Sequence, residues 1–221
     1  MGAEQGLIGL YISQSAMKMG LSAREIGQLF ACHSFGSALI ISAALNSKLE
    51  KFNRYRVSIA CSAFSIGAAI LVLIDVWLVK GIAMLLLGAG FGGLSMAFNT
   101  LFVARFSERN TGVLNALNAT YGIGAVLSPW LLFSDFLSIE SILLLISFIC
   151  AILLIPGTQI DDRVPEKNLG GKSCYPKKNL TILLVIIFLS LFMESSITYW
   201  APGLLSISGM TVEEIANFMA R

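Results

Sequence analysis

The carboxylate of Glu194 falls inside the apolar run Leu180 to Tyr199, and Thr198 follows it by about one helical turn, so an acid and a hydroxyl share one face. An ionised side chain at bilayer depth costs at least about 2.5 to 3.5 kcal/mol, so it faces a cavity or a partner. Glu194 can therefore hydrogen-bond a polar solute, take up a proton when desolvated, or tie its helix to a neighbour. In another apolar run Asn115, Asn118 and Tyr121 recur about a turn apart, a set suited to a neutral hydroxylated solute. His33, with Gln28 and Ser34 on the same run, can line a pathway, but without a cluster around it a histidine reads first as a packed helix contact. The chain has 1 histidine, no His-Glu-x-x-His pattern and no evident pair of facing aspartates. Neither a metal site, a cofactor nor an intramembrane enzyme is expected.

The elements that must position these residues are membrane helices. In 221 residues, 56% are hydrophobic and 13% charged, with a mean hydropathy of +0.80, which does not describe a soluble domain. Apolar stretches run from Ile26 to Leu45, Val57 to Val76, Leu78 to Phe102, Val113 to Phe133, Ile139 to Pro156 and Leu180 to Tyr199. Each is of the order needed to cross a hydrocarbon core of roughly 30 Å as a helix. A shorter run, Gly6 to Met17, opens the chain, and Val212 to Ala220 reads as the first turns of another helix. The runs are continuous rather than alternating, which selects helices over barrel strands.

Charge separates by side. Lys48, Lys51, Arg54 and Arg56, then Arg105 and Arg109, then Arg163, Lys167, Lys172, Lys177 and Lys178 make every second loop basic, which assigns those loops to the cytoplasm. The intervening loops carry Lys18, Arg24 and Lys80 against Glu25, Asp75, Asp135, Glu140, Glu213 and Glu214. The net charge of +2 thus reports orientation, and no nucleic-acid partner is implied. Cys32, Cys61 and Cys150 lie in apolar runs and Cys174 in a linker, so no disulfide framework is expected.

The segment Gly157 to Asn179 mixes charges with Pro165, Gly170, Gly171 and Pro176 and reads as a tether between two bundles. Six helices, a long charged loop and further helices resemble the major facilitator superfamily. The string from Arg109 through Gly122, Gly124 and Pro129 to Trp130 resembles the fifth helix of its fucose permease branch, with Asn118 where many relatives have histidine and Ser128 where they have glycine. Gly88, Gly90 and Gly93 resemble packing notches of the fourth helix, where Asn99 matches a branch asparagine while Ser95 replaces the acidic residue before it. The turn containing Glu50, Lys51 and Arg54 is similar in charge order to the family's loop between helices two and three, and Phe192 to Pro202 is similar to its seventh helix, with Tyr199 and Trp200 near the outer interface. Gly20-Leu21-Ser22 is similar to its first outer loop, which sets Glu4 and Gln5 near the middle of helix one.

The expected molecule is an all-α membrane protein: an N-terminal bundle over 1–156 with a truncated first helix, a cytoplasmic linker over 157–179, and the start of a C-terminal bundle over 180–221. The resemblance implies a secondary transporter of a small polar solute, sugar-like by preference, working by alternating access. Its expected lining is Glu4, Gln5, Asn99, Asn115, Asn118, Tyr121 and Glu194. Gly88, Gly90, Gly93, Gly122, Gly124, Pro129, Glu50, Lys51, Arg54 and Arg109 are expected to serve packing and gating. A proton or sodium ion is the expected coupling partner, the plasma (cytoplasmic) membrane the expected location, and further C-terminal helices are expected in a longer chain. The alternative is a non-transporting membrane interaction protein or an inactive fragment.

Overall fold

The computed structural model describes residues 2–44, 55–105, 110–131 and 137–157, together with 189, 193, 197–203, 205, 208–211, 214–215 and 218. Among these the chain is helical and contains no strand: α1 (Gly2–Met19), α2 (Ala23–Ala44), α3 (Arg56–Leu73), α4 (Trp77–Arg105), α5 (Asn110–Trp130), α6 (Ile139–Ile152) and a short α7 (Leu154–Gly157). Four stretches are long and apolar enough to cross a membrane: Ala23–Ala43, Arg56–Leu73, Trp77–Phe102 and Ile139–Pro156. Helices α1 and α5 fall outside that set, and they are the two helices on which the expected lining concentrates, Glu4 and Gln5 on one, Asn115, Asn118 and Tyr121 on the other. The first helix is also longer than its apolar run indicates. Its 18 residues reach about 27 Å because Gly2 to Gln5, polar by composition, continue the helix into a packed interior.

Helix α4 is the hub, packing along both α2 and α3, while α1 lies against α5 and α3 against α6. Glycine makes the hub possible. A Cβ on Gly90 would stand 2.6 Å from the backbone nitrogen of Phe64 on α3, and one on Gly93 would stand 2.8 Å from the Ala60 Cβ. Gly88 and Gly92 meet α2 instead, at His33 and Ser37. Residues two apart on a helix are about 200° apart, so a Gly-x-Gly pair serves two different neighbours. The same geometry separates Gly122 from Gly124: a Cβ on Gly124 would lie 3.1 Å from the Ala3 nitrogen, whereas Gly122 has nothing within 4 Å. Gly122 is thus no contact point for a described helix.

The helix ends are tied by polar groups. Lys80, expected in a loop from sequence, is fully buried in the first turns of α4. Its ammonium donates to the Leu71 carbonyl at 2.9 Å and to the Tyr11 hydroxyl at 3.0 Å, and lies 2.9 Å from the exposed Asp75 carboxylate. Tyr11 in turn donates to the Leu71 carbonyl at 2.8 Å. That carbonyl belongs to the last turn of α3, where helix acceptors are unpaired and the dipole favours a cation. One cation therefore fastens α1, α3 and α4 together. Deeper in the bundle, Ser65 on α3 and Ser147 on α6 donate to each other's backbone carbonyls at 2.9 and 2.8 Å.

One turn occurs twice. After α1, Gly20 adopts φ +65°, the Leu21 amide donates to Ala16 and the Gly20 amide to Met17, which is the paired closure of a Schellman motif. Ser22 then caps α2 as a capping box: the Glu25 carboxylate accepts the Ser22 amide at 2.8 Å, and the Glu25 amide reaches back to the Ser22 hydroxyl at 3.4 Å. Gly209 has φ +89°, the Met210 amide donates to Leu205, and Glu214 accepts the Thr211 amide at 2.8 Å while its own amide donates to the Thr211 hydroxyl at 3.2 Å. Gly20-Leu21-Ser22 through Glu25-Ile26 and Gly209-Met210-Thr211 through Glu214-Ile215 correspond without a gap.

Candidate functional site

Four polar side chains from three separate segments meet inside the bundle. Glu4 is fully buried in the first turn of α1, and its Oε1 lies 3.2 Å from Nε2 of His33, a buried residue of α2. The ring N–H is not aimed along that line, so neither Glu4 oxygen has an aligned donor. Proximity makes the pair and the interior makes it consequential, since a carboxylate without aligned donors is the costliest group to keep dry. Tyr199, from helical residues 197–203, brings its hydroxyl 3.4 Å from His33 Nδ1, and Gln5 donates its amide to the same hydroxyl at 3.1 Å. The complementary assignment has Gln5 donating to Tyr199 and Tyr199 donating to Nδ1, which puts the ring proton of a neutral imidazole on Nε2, near Glu4 but out of line with its oxygen.

Packing fixes these positions. Tyr199 stacks on Phe30 with centroids 4.8 Å apart, Trp200 meets the edge of Phe30 at 6.0 Å, and Phe91 of α4 stands 5.8 Å from the His33 ring. Close approach of the segments depends on Gly9, where a Cβ would come within 2.5 Å of the Thr198 carbonyl oxygen. Two sequence readings are corrected here. Tyr199, read as an outer-interface aromatic, is 7% exposed with its hydroxyl directed inward. His33, read as a lone packing residue, has an acid at one nitrogen and a hydroxyl at the other because α1 and α2 turn their polar positions toward each other.

The remaining expected residues divide. A cavity of about 620 Å³ lies among α1, α3, α4, α5 and α6, and Asn99, Asn118 and Tyr121 line it together with Ser95. Glu4 and Gln5 are not among its lining residues, although Gly2 and Ala3 close one end. Asn115 is exposed and lies outside it, because a step of three residues turns a helix by about 300° and drifts off one face. Pro129 lies within α5. Glu194, Glu50, Lys51, Arg54 and Arg109 lie outside the described residues. Among the described residues no cluster of three or more His, Cys, Asp or Glu could hold a metal ion.

The signal that bears on the burial of Tyr199 is the repeat of the turn, whose register matches it to the buried Leu10. Carried back along the chain, the same register pairs Tyr11 with Trp200, Ile8 with Ile197 and Gln5 with Glu194. Gln5, just before the first apolar run, and Glu194, inside the run Leu180 to Tyr199, are thus equivalent in register.

A bundle of long apolar helices around a buried acid and imidazole, beside an open internal cavity, defines a polytopic membrane protein with an interior polar site. The family model of the Major Facilitator Superfamily matches residues 1–220, and the chain belongs to that superfamily of transporters. Comparison with curated proteins and with solved structures gives no match.

Proposed function

We propose that this transporter is a secondary active carrier of a small polar solute, sugar-like by preference, that works by alternating access between a bundle over 1–156 and a second beginning at 180, joined by a cytoplasmic linker over 157–179. The observation that carries the reading is the Glu4, His33, Tyr199 and Gln5 cluster, because it joins both sides of that linker through groups that exchange protons and hydrogen bonds. A rocking motion that separates α1 and α2 from residues 197–203 strips Tyr199 from His33 and changes what Glu4 faces. An acid and imidazole in contact suit a proton as the coupling ion better than sodium. Asn99, Asn118 and Tyr121 serve the solute, Glu4 and Gln5 border them, and Asn115 and Glu194 complete the proposed lining. Gly88, Gly90 and Gly93 hold the hub tight, while Gly124 and Pro129 on α5, and Glu50, Lys51, Arg54 and Arg109 in the basic loops, act in gating. The resemblance to the fucose permease branch supports the sugar preference, and the basic loops support a cytoplasmic face in the plasma membrane.

The test is uptake into liposomes carrying the protein purified from its own membrane, with and without an inward proton gradient. Gradient-driven accumulation that Glu4→Gln abolishes, with exchange of solute across the membrane retained, is the expected result. Solute-independent behaviour in both proteins would leave a membrane interaction protein as the better reading.

A further inference from the structure

The cavity's two sides are chemically unlike. Every polar side chain that lines it comes from the adjacent helices α4 and α5: Ser95, Asn99, Asn118, Thr120 and Tyr121. Leu94, Phe98 and Leu117 of the same two helices stand among them, while α3 and α6 contribute no polar group but a thiol: Val57, Cys61, Ile146, Ile149 and Cys150. The side-chain amides of Asn99 and Asn118 make no hydrogen bond with a described residue, so their donors and acceptors are available to an occupant, while the Thr120 hydroxyl is committed to the Ala116 carbonyl at 2.9 Å. No charged side chain lines the space among the described residues, so an ion entering it would be desolvated without a partner. The volume is that of an ordinary small-molecule site, roughly 300 to 1,000 Å³.

A free sugar carries hydroxyls around its whole edge, and those facing α3 and α6 would go unpaired, each at a cost of about 1 to 3 kcal/mol. A hydrocarbon would make no use of the two asparagines. From this asymmetry we infer that the cavity takes an uncharged, two-sided molecule, with hydroxyl or amide groups toward α4 and α5 and an apolar face toward α3 and α6. Among sugar-like solutes that class is the aryl and alkyl glycosides rather than the free sugars. The inference rests on the transporter reading for its biological meaning and on the cavity alone for its chemistry.

The structure supplies reporters. Cys61 and Cys150 line the apolar side, whereas Cys32 on α2 does not line the cavity. With the protein in liposomes, alkylation by N-ethylmaleimide is followed at each cysteine by mass spectrometry, in the presence of phenyl β-glucoside or of glucose. Cys61 is buried and reacts slowly in either case, whereas Cys150 is half-buried; only vacant sites react there, so phenyl β-glucoside at about ten times its Kd is expected to slow Cys150 about tenfold. Cys32 keeps its rate, and glucose at the same concentration does not protect Cys150. Asn118→Leu, at an exposed position that folding does not depend on, is expected to raise the phenyl glucoside concentration needed for protection about tenfold while leaving the unprotected rates as they were. Equal protection by glucose, no protection by phenyl β-glucoside, or equal slowing of Cys32 overturns the inference. Protection without any uptake leaves the inference standing and removes the transporter reading. Glucose uptake without phenyl glucoside protection does the reverse.

Discussion

Removing His33 should damage the protein more than its size suggests, and removing the charge of Glu4 as well should repair part of the damage. In the native bundle Glu4 is fully buried with His33 Nε2 at 3.2 Å and no aligned donor elsewhere. His33→Leu keeps the volume of α2 near Phe91 but takes the nearest described polar group away from that buried acid, and a buried polar group left without a partner costs up to about 3 kcal/mol. Glu4→Gln alone leaves His33 bonded by Tyr199 and gives Nε2–H a carbonyl to face, a loss of about 1 kcal/mol. The double variant buries a neutral amide without partners, at about 1 to 3 kcal/mol. Adding Glu4→Gln to His33→Leu therefore restores about 1 kcal/mol, a favourable coupling between two side chains in contact. The assay is reversible unfolding in mixed micelles, followed by helical circular dichroism for the four proteins. Strictly additive losses, or a His33→Leu cost below about 1 kcal/mol, would show that the two side chains merely pack.

The glycine hub predicts a contrast: Gly90→Ala, whose Cβ would meet the Phe64 backbone at 2.6 Å, should lose about 1 to 3 kcal/mol in the same unfolding assay, while Gly122→Ala, with open space around it, should be near neutral or slightly stabilising. At the α3 terminus, Tyr11→Phe should cost more than Lys80→Met. The first leaves a buried ammonium short of a partner, at about 1.5 to 3 kcal/mol; the second removes the ion, leaves Tyr11 bonded to Leu71 and returns Asp75 to water, so the reverse order would sink this account of the junction. At the repeated turn, the amide and hydroxyl of Thr211 hold the Glu214 carboxyl below its ordinary value of 4.5. The capping contact is thus complete above that value and is lost as pH falls through the lowered one, and a carboxyl NMR titration of Glu214 with its midpoint at or above 4.5 would contradict it.

Helix positions were legible in the sequence because lipid demands unbroken apolar length, and α3, α4 and α6 coincide with their runs to within a few residues. The start of α1 was not legible in hydropathy, because Gly2 to Gln5 give no apolar signal, and only the resemblance at Gly20-Leu21-Ser22 set Glu4 and Gln5 within the helix. Lys80 looked like a loop charge for a related reason: its four-carbon stem carries the ammonium to the end of α3, a destination invisible along its own helix. Among candidate site residues, Asn99, Asn118 and Tyr121 share a cavity, but the meeting of Glu4 with His33 depends on the rotation of two helices about their axes. Periodicity fixes which residues share a face and leaves open which faces meet.

The duplicated turn gives this chain an internal standard of comparison. Where its two copies agree, at the left-handed glycine, the hydroxyl and the acid three residues on, they show what a sharp reversal between two helices demands of any sequence. Where the register is shared but the residue is not, as at Gln5 and Glu194, the turn cannot be the reason for the difference. Such positions are where a shared turn leaves the side chain free to differ, as a neutral amide in one copy and an acid in the other.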